Sequence, residues 1–573
     1  MSNSKRKKVR KRSTAIGAVV ATLGLALSSV GAGQVPAAFA ASTASSPMTG
    51  LGSCPGGPKG TLNMAEDEGG PFVDNFNPFT GSHTYDTMSF VYETLLQYDL
   101  ANSSVVTPWL STNYAWSDGG KTLVFQLRHG IKWSDGKPFT SADVVFTFEL
   151  LRKDPATNTK GIVFSTVSAE GPYTVKMTFS SPEYSELFYI GTQYILPEHI
   201  WASIKAPTKY TNADPIGTGP YLLKSLTASG AVYTPNPNYW IKGLPCIAKI
   251  SEPAYFNNTP ADHAMEDGTG DWGGLFISGM SLYTRTPGHK YWNPPTNVVA
   301  LYPNLTEAPM NSLPLRRAIS DALNRPMIEQ LGELGEETPV TNKTGVILPR
   351  DKAQLAAKYA NDNFHQDIAQ AKAVLKKAGY TFSSNGQLMT PGGKPVVISI
   401  GAPAAFSDWV TAVQEVAREL DAIGIKATAS PIENTEYFTD LALGKFQLAI
   451  DATELGPNSF YQYDGLMYSL NSAPIGKLAT FNLERFHSAT ADALIKSYLS
   501  TDNAGIQKKD MAGLESIMVN QLPVIPLYYG TEWGLYSTVH IAGWPSPSNP
   551  YEIASPYDTP MNEVVLLHLT WKG

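Results

Sequence analysis

At 573 residues the chain is too long for one ordinary hydrophobic core, so two or three domains are expected. A composition of 43% hydrophobic and only 16% charged residues excludes a disordered chain. A net charge of −7 removes the electrostatic footprint of a nucleic-acid binder and fits a surface that resists association.

The N-terminus reads as an export signal. SKRKKVRKR places seven basic residues in the first twelve positions, and Ser13–Val30 then carries no charge. The run closes on AFA followed by ASTASS, a small-x-small cleavage pattern, so residues 1–40 are assigned to a signal peptide and 41–59 to a flexible mature N-terminus. LGSC at Leu51–Cys54 resembles a lipoprotein box, but it lies about twenty residues beyond the apolar core that such a box directly follows. The two cysteines, Cys54 and Cys246, are bound for an oxidising compartment, where one disulfide is the natural reading; a lipidated Cys54 with a free Cys246 is the alternative. The nine histidines show no metal-ligand spacing, and no metal or cofactor is expected. After the leader no segment is apolar enough to span a bilayer.

Further along, TLNMAED reads as a strand and MSFVYETLLQY (Met88–Tyr98) has helical apolar spacing. KTLVFQLRHG alternates as a strand does. In WSDGKPFTSADVVFTFELL, Ser134–Pro138 is a turn, Thr140 an N-cap with Asp143 in the box position, and the rest a helix. PIGTGPYLLKSL (Pro215–Leu226) is a glycine-rich turn into a strand and lacks the phosphate-loop pattern. LPLRRAISDALNRPMIEQL is an amphipathic helix interrupted before Pro326. QDIAQAKAVLKKAGY and SDWVTAVQEVARELDAIGIKATAS are helices stopped by Gly379 and Gly424. With KFQLAIDA and QLPVIPLYYG as strands, the alternation around 395–452 favours an α/β lobe with a partly parallel sheet.

RHGIKWSDGKPFTSADV resembles the signature of the family 5 extracellular solute-binding proteins of ABC importers. PIGTGPYLL, NPNYW, LRRAISDALNRPMI and LPVIPLYY follow in the family's order, so the resemblance covers nearly the whole mature chain. It implies an α/β, bilobed, periplasmic-binding-protein type II-like (Venus-flytrap) fold, with an extra subdomain in lobe one. Residues 60–298 are assigned to lobe one, 299–524 to lobe two, and 525–573 to the return, with crossings near Asn297–Tyr302 and Leu522–Tyr528. Both cysteines then fall in lobe one. The implied partners are a small-molecule ligand and a membrane permease, with no nucleic acid, and the protein is expected to be a monomer.

The family takes peptides, nickel chelates or oligosaccharides. Where its peptide binders carry an aspartate that pairs with the ligand's ammonium, this chain has IDATELGPNSFYQYDGLMYS (Ile450–Ser469). The anchor position falls on Thr453, which cannot supply a charge-assisted contact, although Glu454 is adjacent. The same stretch and GWPSPSNPY (Gly543–Tyr551) resemble the subgroup that binds β-linked oligosaccharides. Sugar recognition needs aromatic platforms beside a few placed polar groups. The expected ligand-binding residues are Trp272, Asn304, Trp409, Glu454, Asn458, Tyr461 and Trp533, with Tyr463 beside them. An oligosaccharide is the favoured ligand and an oligopeptide the alternative. A secreted hydrolase is a remote third reading, because no G-x-S-x-G, H-E-x-x-H or phosphate loop is present. Any isolated tryptophan is more often core than platform.

Overall fold

Two sheets organise the chain. The computed structural model describes residues 48–66, 71–80, 84, 86–101 and 105–573, and the leader assigned to 1–40 lies outside them. The first sheet has seven strands, in the order His289–Tyr291, Leu535–Ser537, Trp272–Gly273, Lys59–Ala65, Ile247–Pro253, Gly230–Pro235, Tyr221–Thr227. The second has six: Thr338–Pro339, Ile525–Tyr529, Val299–Pro303, Leu448–Ala452, Val397–Pro403, Lys426–Ile432. Each sheet centres one lobe. A separate four-stranded antiparallel sheet (Ser111–Ser117, Thr122–Leu127, Thr174–Thr178, Thr166–Ala169) builds the extra part of lobe one.

The central strands of lobe two are apolar on both faces because both faces are covered. Val299–Pro303 and Ile525–Tyr529 are buried at every residue. Val397–Pro403 pairs in parallel with Lys426–Ile432 and with Leu448–Ala452. A parallel pair needs a long crossover, and the helix Ser407–Leu420 provides it. Ala412, Val413, Val416 and Leu420 are its buried face, and Gly424 (φ 76°) turns the chain into the next strand.

Three of the motifs converge on one corner of lobe one. The Ser134 amide donates to the Gly217 carbonyl at 2.8 Å, and Asn238 Nδ2 donates to the Ser134 carbonyl at 3.1 Å. Trp133 is fully buried, edge-on to Phe139 and His199. The Arg128 guanidinium lies 4.7 Å over the Trp240 ring. Thr140 and Asp143 form the capping box of the helix Ser141–Lys153, so WSDGKPF is a scaffold corner.

Several expectations need correction. Met88–Tyr98 is not one helix: a short turn of helix at Met88–Val91 gives way to the strand Leu96–Asp99, and residues 88–99 are buried throughout. Periodicity carries no information in a stretch that is covered on every side. Leu313–Leu331 is interrupted before Pro326 as expected: it forms two helices, Leu313–Ala322 and Arg325–Gly332, the second with Pro326 in its first turn. Ile525–Tyr529 pairs with Val299–Pro303 in the second sheet, so the chain returns to lobe one after Tyr529 and not at 525. Nor are residues 48–58 loose, while 41–47 lie outside the described residues. The Gly52 amide donates to the Leu567 carbonyl at 2.8 Å, and Cys54 is bonded to Cys246 with 5.5 Å between their Cα atoms.

That bond joins residues 192 positions apart and so restricts a large loop of the unfolded chain. A Cys54→Ser/Cys246→Ser double variant is expected to lose about 2–4 kcal/mol of stability by denaturant titration. An unchanged midpoint would show that the bond contributes nothing.

Candidate functional site

The chain passes between the sheets twice, and the two passages run antiparallel against each other. The Thr296 and Asn297 amides donate to the Gly530 carbonyl at 2.9 and 3.3 Å, and the Gly530 amide donates back to the Asn297 carbonyl at 3.2 Å. Thr531 Oγ1 donates to the Pro294 carbonyl at 2.9 Å, and the Gly534 amide to Asn293 Oδ1 at 3.0 Å. Gly530 is required by the closeness of the passages, since a Cβ there would sit 2.0 Å from Asn297 Oδ1. The lobes also touch elsewhere. Asn258 Nδ2 meets Ser407 Oγ at 3.4 Å, and the Tyr189 hydroxyl donates to Asp464 Oδ2 at 3.4 Å.

The space enclosed in this way has two chambers that share Asn297, Ala452 and Glu532. The first, of about 320 Å³, takes Phe276, Trp533 and Tyr557 from lobe one and its return, and Glu337, Asp408 and Trp409 from lobe two. The second, of about 500 Å³, is walled by Lys160, Tyr189, Thr453, Glu454, Phe481 and Asp558 among others. Both lie at the carboxyl end of Leu448–Ala452, and the first also just beyond the carboxyl end of Val397–Pro403. Open α/β sheets place ligands there because loops and helix starts converge at that edge.

The walls carry several buried carboxyls. Burial pushes Asp408 up to about 6, and burial and neighbouring Asp99 raise Asp558 to about 7. Glu337 and Glu532 are also raised by burial, and then by the other carboxylates around them. Glu337 keeps one partner, since its Oε1 accepts the Thr531 amide at 3.0 Å. In the second chamber burial raises Glu454 to about 8 and lowers Lys160 to about 8, while each favours the other's charge. Lys160 Nζ donates to the Thr192 carbonyl and hydroxyl, both at 2.8 Å.

Three of the seven expected ligand-binding residues line these chambers: Trp409 and Trp533 the first, Glu454 the second. The other four do not. Trp272 sits within the first sheet, fully buried; its indole N–H donates to the Ala554 carbonyl at 2.6 Å and its ring packs against Trp544. The Asn304 side chain donates to the Gly444 and Phe446 carbonyls, both at 3.0 Å, and so holds a loop of lobe two. Asn458 caps the helix Ser459–Met467 by accepting the Phe460 amide at 2.9 Å. Tyr461 is buried against Phe188 and donates to the Ser185 carbonyl at 3.1 Å. Tyr463 is likewise core, donating to the Thr344 carbonyl at 2.6 Å. Thr453 reaches the second chamber, but its hydroxyl accepts the Val298 amide at 3.0 Å and donates to Gln462 at 3.2 Å.

The carboxylates of the first chamber were not anticipated. Asp408 and Glu532 each directly precede a tryptophan that was, so DW at 408–409 and EW at 532–533 carried a signal. DW at 271–272 shows its limit, because Asp271 there binds the Asn63 amide at 2.9 Å inside a sheet.

Residues 105–475 match the model of the bacterial extracellular solute-binding proteins, family 5, middle segment. The chain belongs to this family. It is 28% identical over 354 residues to the nickel-binding periplasmic protein of Escherichia coli, covering 58% of this chain and 65% of that protein. It is 29% identical over 353 residues to a putative ABC transporter peptide-binding protein of Brucella ovis, covering 59% and 63%. The match thus spans just under two thirds of these relatives. Among solved structures, an oligopeptide-binding periplasmic protein of Thermotoga maritima with mannohexaose bound superposes with a TM-score of 0.81 at 25% identity, covering 89% of this chain and 98% of that one. An oligopeptide-binding protein of Bacillus subtilis in complex with a nonapeptide, at 18% identity and a TM-score of 0.76, shares the fold. Among the described residues of this family 5 chain, no helix is long and apolar enough to cross a membrane.

The raised carboxyls make a pH prediction. A carboxyl whose folded pKa lies above its unfolded value of about 4 binds its proton more tightly when folded, so its contribution is present at low pH and is lost as pH rises through the folded value. For Asp408 and Asp558 that window runs up to about 6 and about 7. The ligand-free protein is expected to melt about 2 °C or more lower at pH 8 than at pH 5 at constant ionic strength. Asp408→Asn should reduce that difference, and a melting temperature that rises with pH would contradict the assignment.

Proposed function

We propose that this protein is the solute-receptor subunit of an ABC importer and that it captures an oligosaccharide between its lobes for delivery to a membrane permease. The observation that carries this reading is the first chamber. There Trp409 of lobe two and Trp533 of the return passage line one cavity together with carboxyl groups and the Asn297 side chain. Flat apolar rings suit the apolar faces of sugar rings, and acceptors suit their hydroxyls. The mannohexaose held by the Thermotoga neighbour supports it. A ligand that touches both lobes binds the closed arrangement better than the open one and shifts the equilibrium by that difference. The paired passages at Asn293–Asn297 and Gly530–Gly534 are the hinge in this reading.

An oligopeptide is the second reading, and one observation favours it. Glu454 stands in the second chamber beside the place where the family's peptide binders keep their anchoring carboxylate. Thr453 is excluded as that anchor because its hydroxyl is already engaged on both sides.

A ligand that binds only the native state raises the melting temperature by mass action. Manno-, cello- and xylo-oligosaccharides are expected to raise it and di- to pentapeptides not to; the reverse would establish the second reading. With the sugar that shifts it most, Trp409→Ala and Trp533→Ala should each weaken binding about tenfold or more by calorimetry, which is about 1.4 kcal/mol. Trp272→Phe should lower stability and leave affinity within about twofold, since a buried ring contributes packing and not contact. Wild-type affinity in both alanine variants would remove the chamber from the ligand's path.

A further inference from the structure

The second chamber holds a cation of its own. Among the described residues that line the two chambers, Lys160 is the single lysine, arginine or histidine. It lies between the helix Ser141–Lys153 and the strand Thr166–Ala169, and its ammonium is tethered on one side. Two of its three donors go to the Thr192 carbonyl and hydroxyl, both at 2.8 Å. The Thr192 hydroxyl donates its own hydrogen to the Phe188 carbonyl at 2.7 Å, so towards Lys160 it accepts. Thr192 is buried, which sets the tether inside the protein.

Glu454 reaches the same chamber from the second sheet, two residues after the strand Leu448–Ala452. Lys160 favours the Glu454 charge, while Asp464 and Asp451 oppose it. Asp558 and Glu532 also line the chamber, and burial holds both above the usual carboxylate range. The positive neighbour of Glu454 thus belongs to the chain.

A lysine ammonium and a ligand's ammonium are the same chemical group. A carboxyl facing a chamber of about 500 Å³ can serve one or the other. Two ammonium groups placed side by side in so small a space repel each other. The lysine is always present, whereas a ligand gives up its freedom to arrive. A sugar hydroxyl meets no such conflict, because it can donate to Glu454 or accept from Lys160.

We propose that Lys160 is a specificity-determining residue: its tethered ammonium takes the place beside Glu454 that a ligand's ammonium would need, and so closes the second chamber to free peptide N-termini while leaving it open to uncharged sugar units. This rests on the saccharide reading and deepens it.

The test is a gain of binding, which a merely structural lysine would not give on removal. Tri-alanine and N-acetyl-tri-alanine are titrated by calorimetry at about pH 7, where an α-amino group is largely protonated. Cellotetraose and mannotetraose are titrated into the wild-type protein beside them. Lys160→Met and Lys160→Gln are both made, so that a folding defect in one does not decide the result, and a cooperative thermal transition establishes that each is folded. Each is expected to bind tri-alanine about tenfold or more tighter than the wild-type protein does. The acetylated peptide should gain nothing, and Glu454→Gln added to either variant should remove the gain. Folded variants that gain no affinity for tri-alanine, or that gain as much for the acetylated peptide, would overturn the role of Lys160 and leave the saccharide reading standing. Wild-type protein that binds tri-alanine and neither sugar would overturn both.

Discussion

Everything at the cleft depends on two strands held against each other. The hydrogen bonds between Thr296–Asn297 and Gly530 fix where the chain leaves one sheet and enters the other. They also fix what stands on either side. Asn297 lies on one passage and Glu532 and Trp533 on the other, so the hinge backbone and the cleft wall are the same residues. Gly530 makes this possible, because any side chain there would occupy the position of the Asn297 carboxamide oxygen. In the proposed reading these few backbone hydrogen bonds form a hinge that rotates at small cost while each lobe moves as a unit.

The cleft pays for its chemistry with stability. Carboxylates that are buried together are unfavourable as anions, and they respond by holding protons. In the proposed reading a ligand gains its full binding energy only when it touches both lobes, and that is the differential affinity lobe closure needs. In the second chamber Lys160 and Glu454 face each other, so that end of the cleft is closer to neutral and can accommodate a part of the ligand without charge.

The fold was legible in the sequence because it is written in local chemistry. The Thr140–Asp143 box, Gly424 after its helix and the β–α–β alternation around 395–452 each have a physical reason that a short window contains. Met88–Tyr98 was not legible, since a segment buried on all sides loses the period that distinguishes helix from strand. The site was only partly legible for a related reason. Trp272, Trp409 and Trp533 are alike in sequence, and each follows an acidic residue. Trp272 lies between two paired strands, while Trp409 starts a helix at the sheet edge and Trp533 lies on a passage between lobes. Which tryptophan lines the cleft is decided by topology, and no window of the sequence holds that. Asn304 and Asn458 were polar residues in the right segments, but their side chains were already committed to loop carbonyls and to a helix cap.

A crystal structure of the protein grown with the saccharide that gives the largest thermal shift tests the central claim most directly. The account requires sugar rings lying on Trp409 and Trp533, hydrogen-bonded to Asp408 and Asn297, with both lobes in contact with the ligand. Sugar bound elsewhere, or touching one lobe alone, would contradict it.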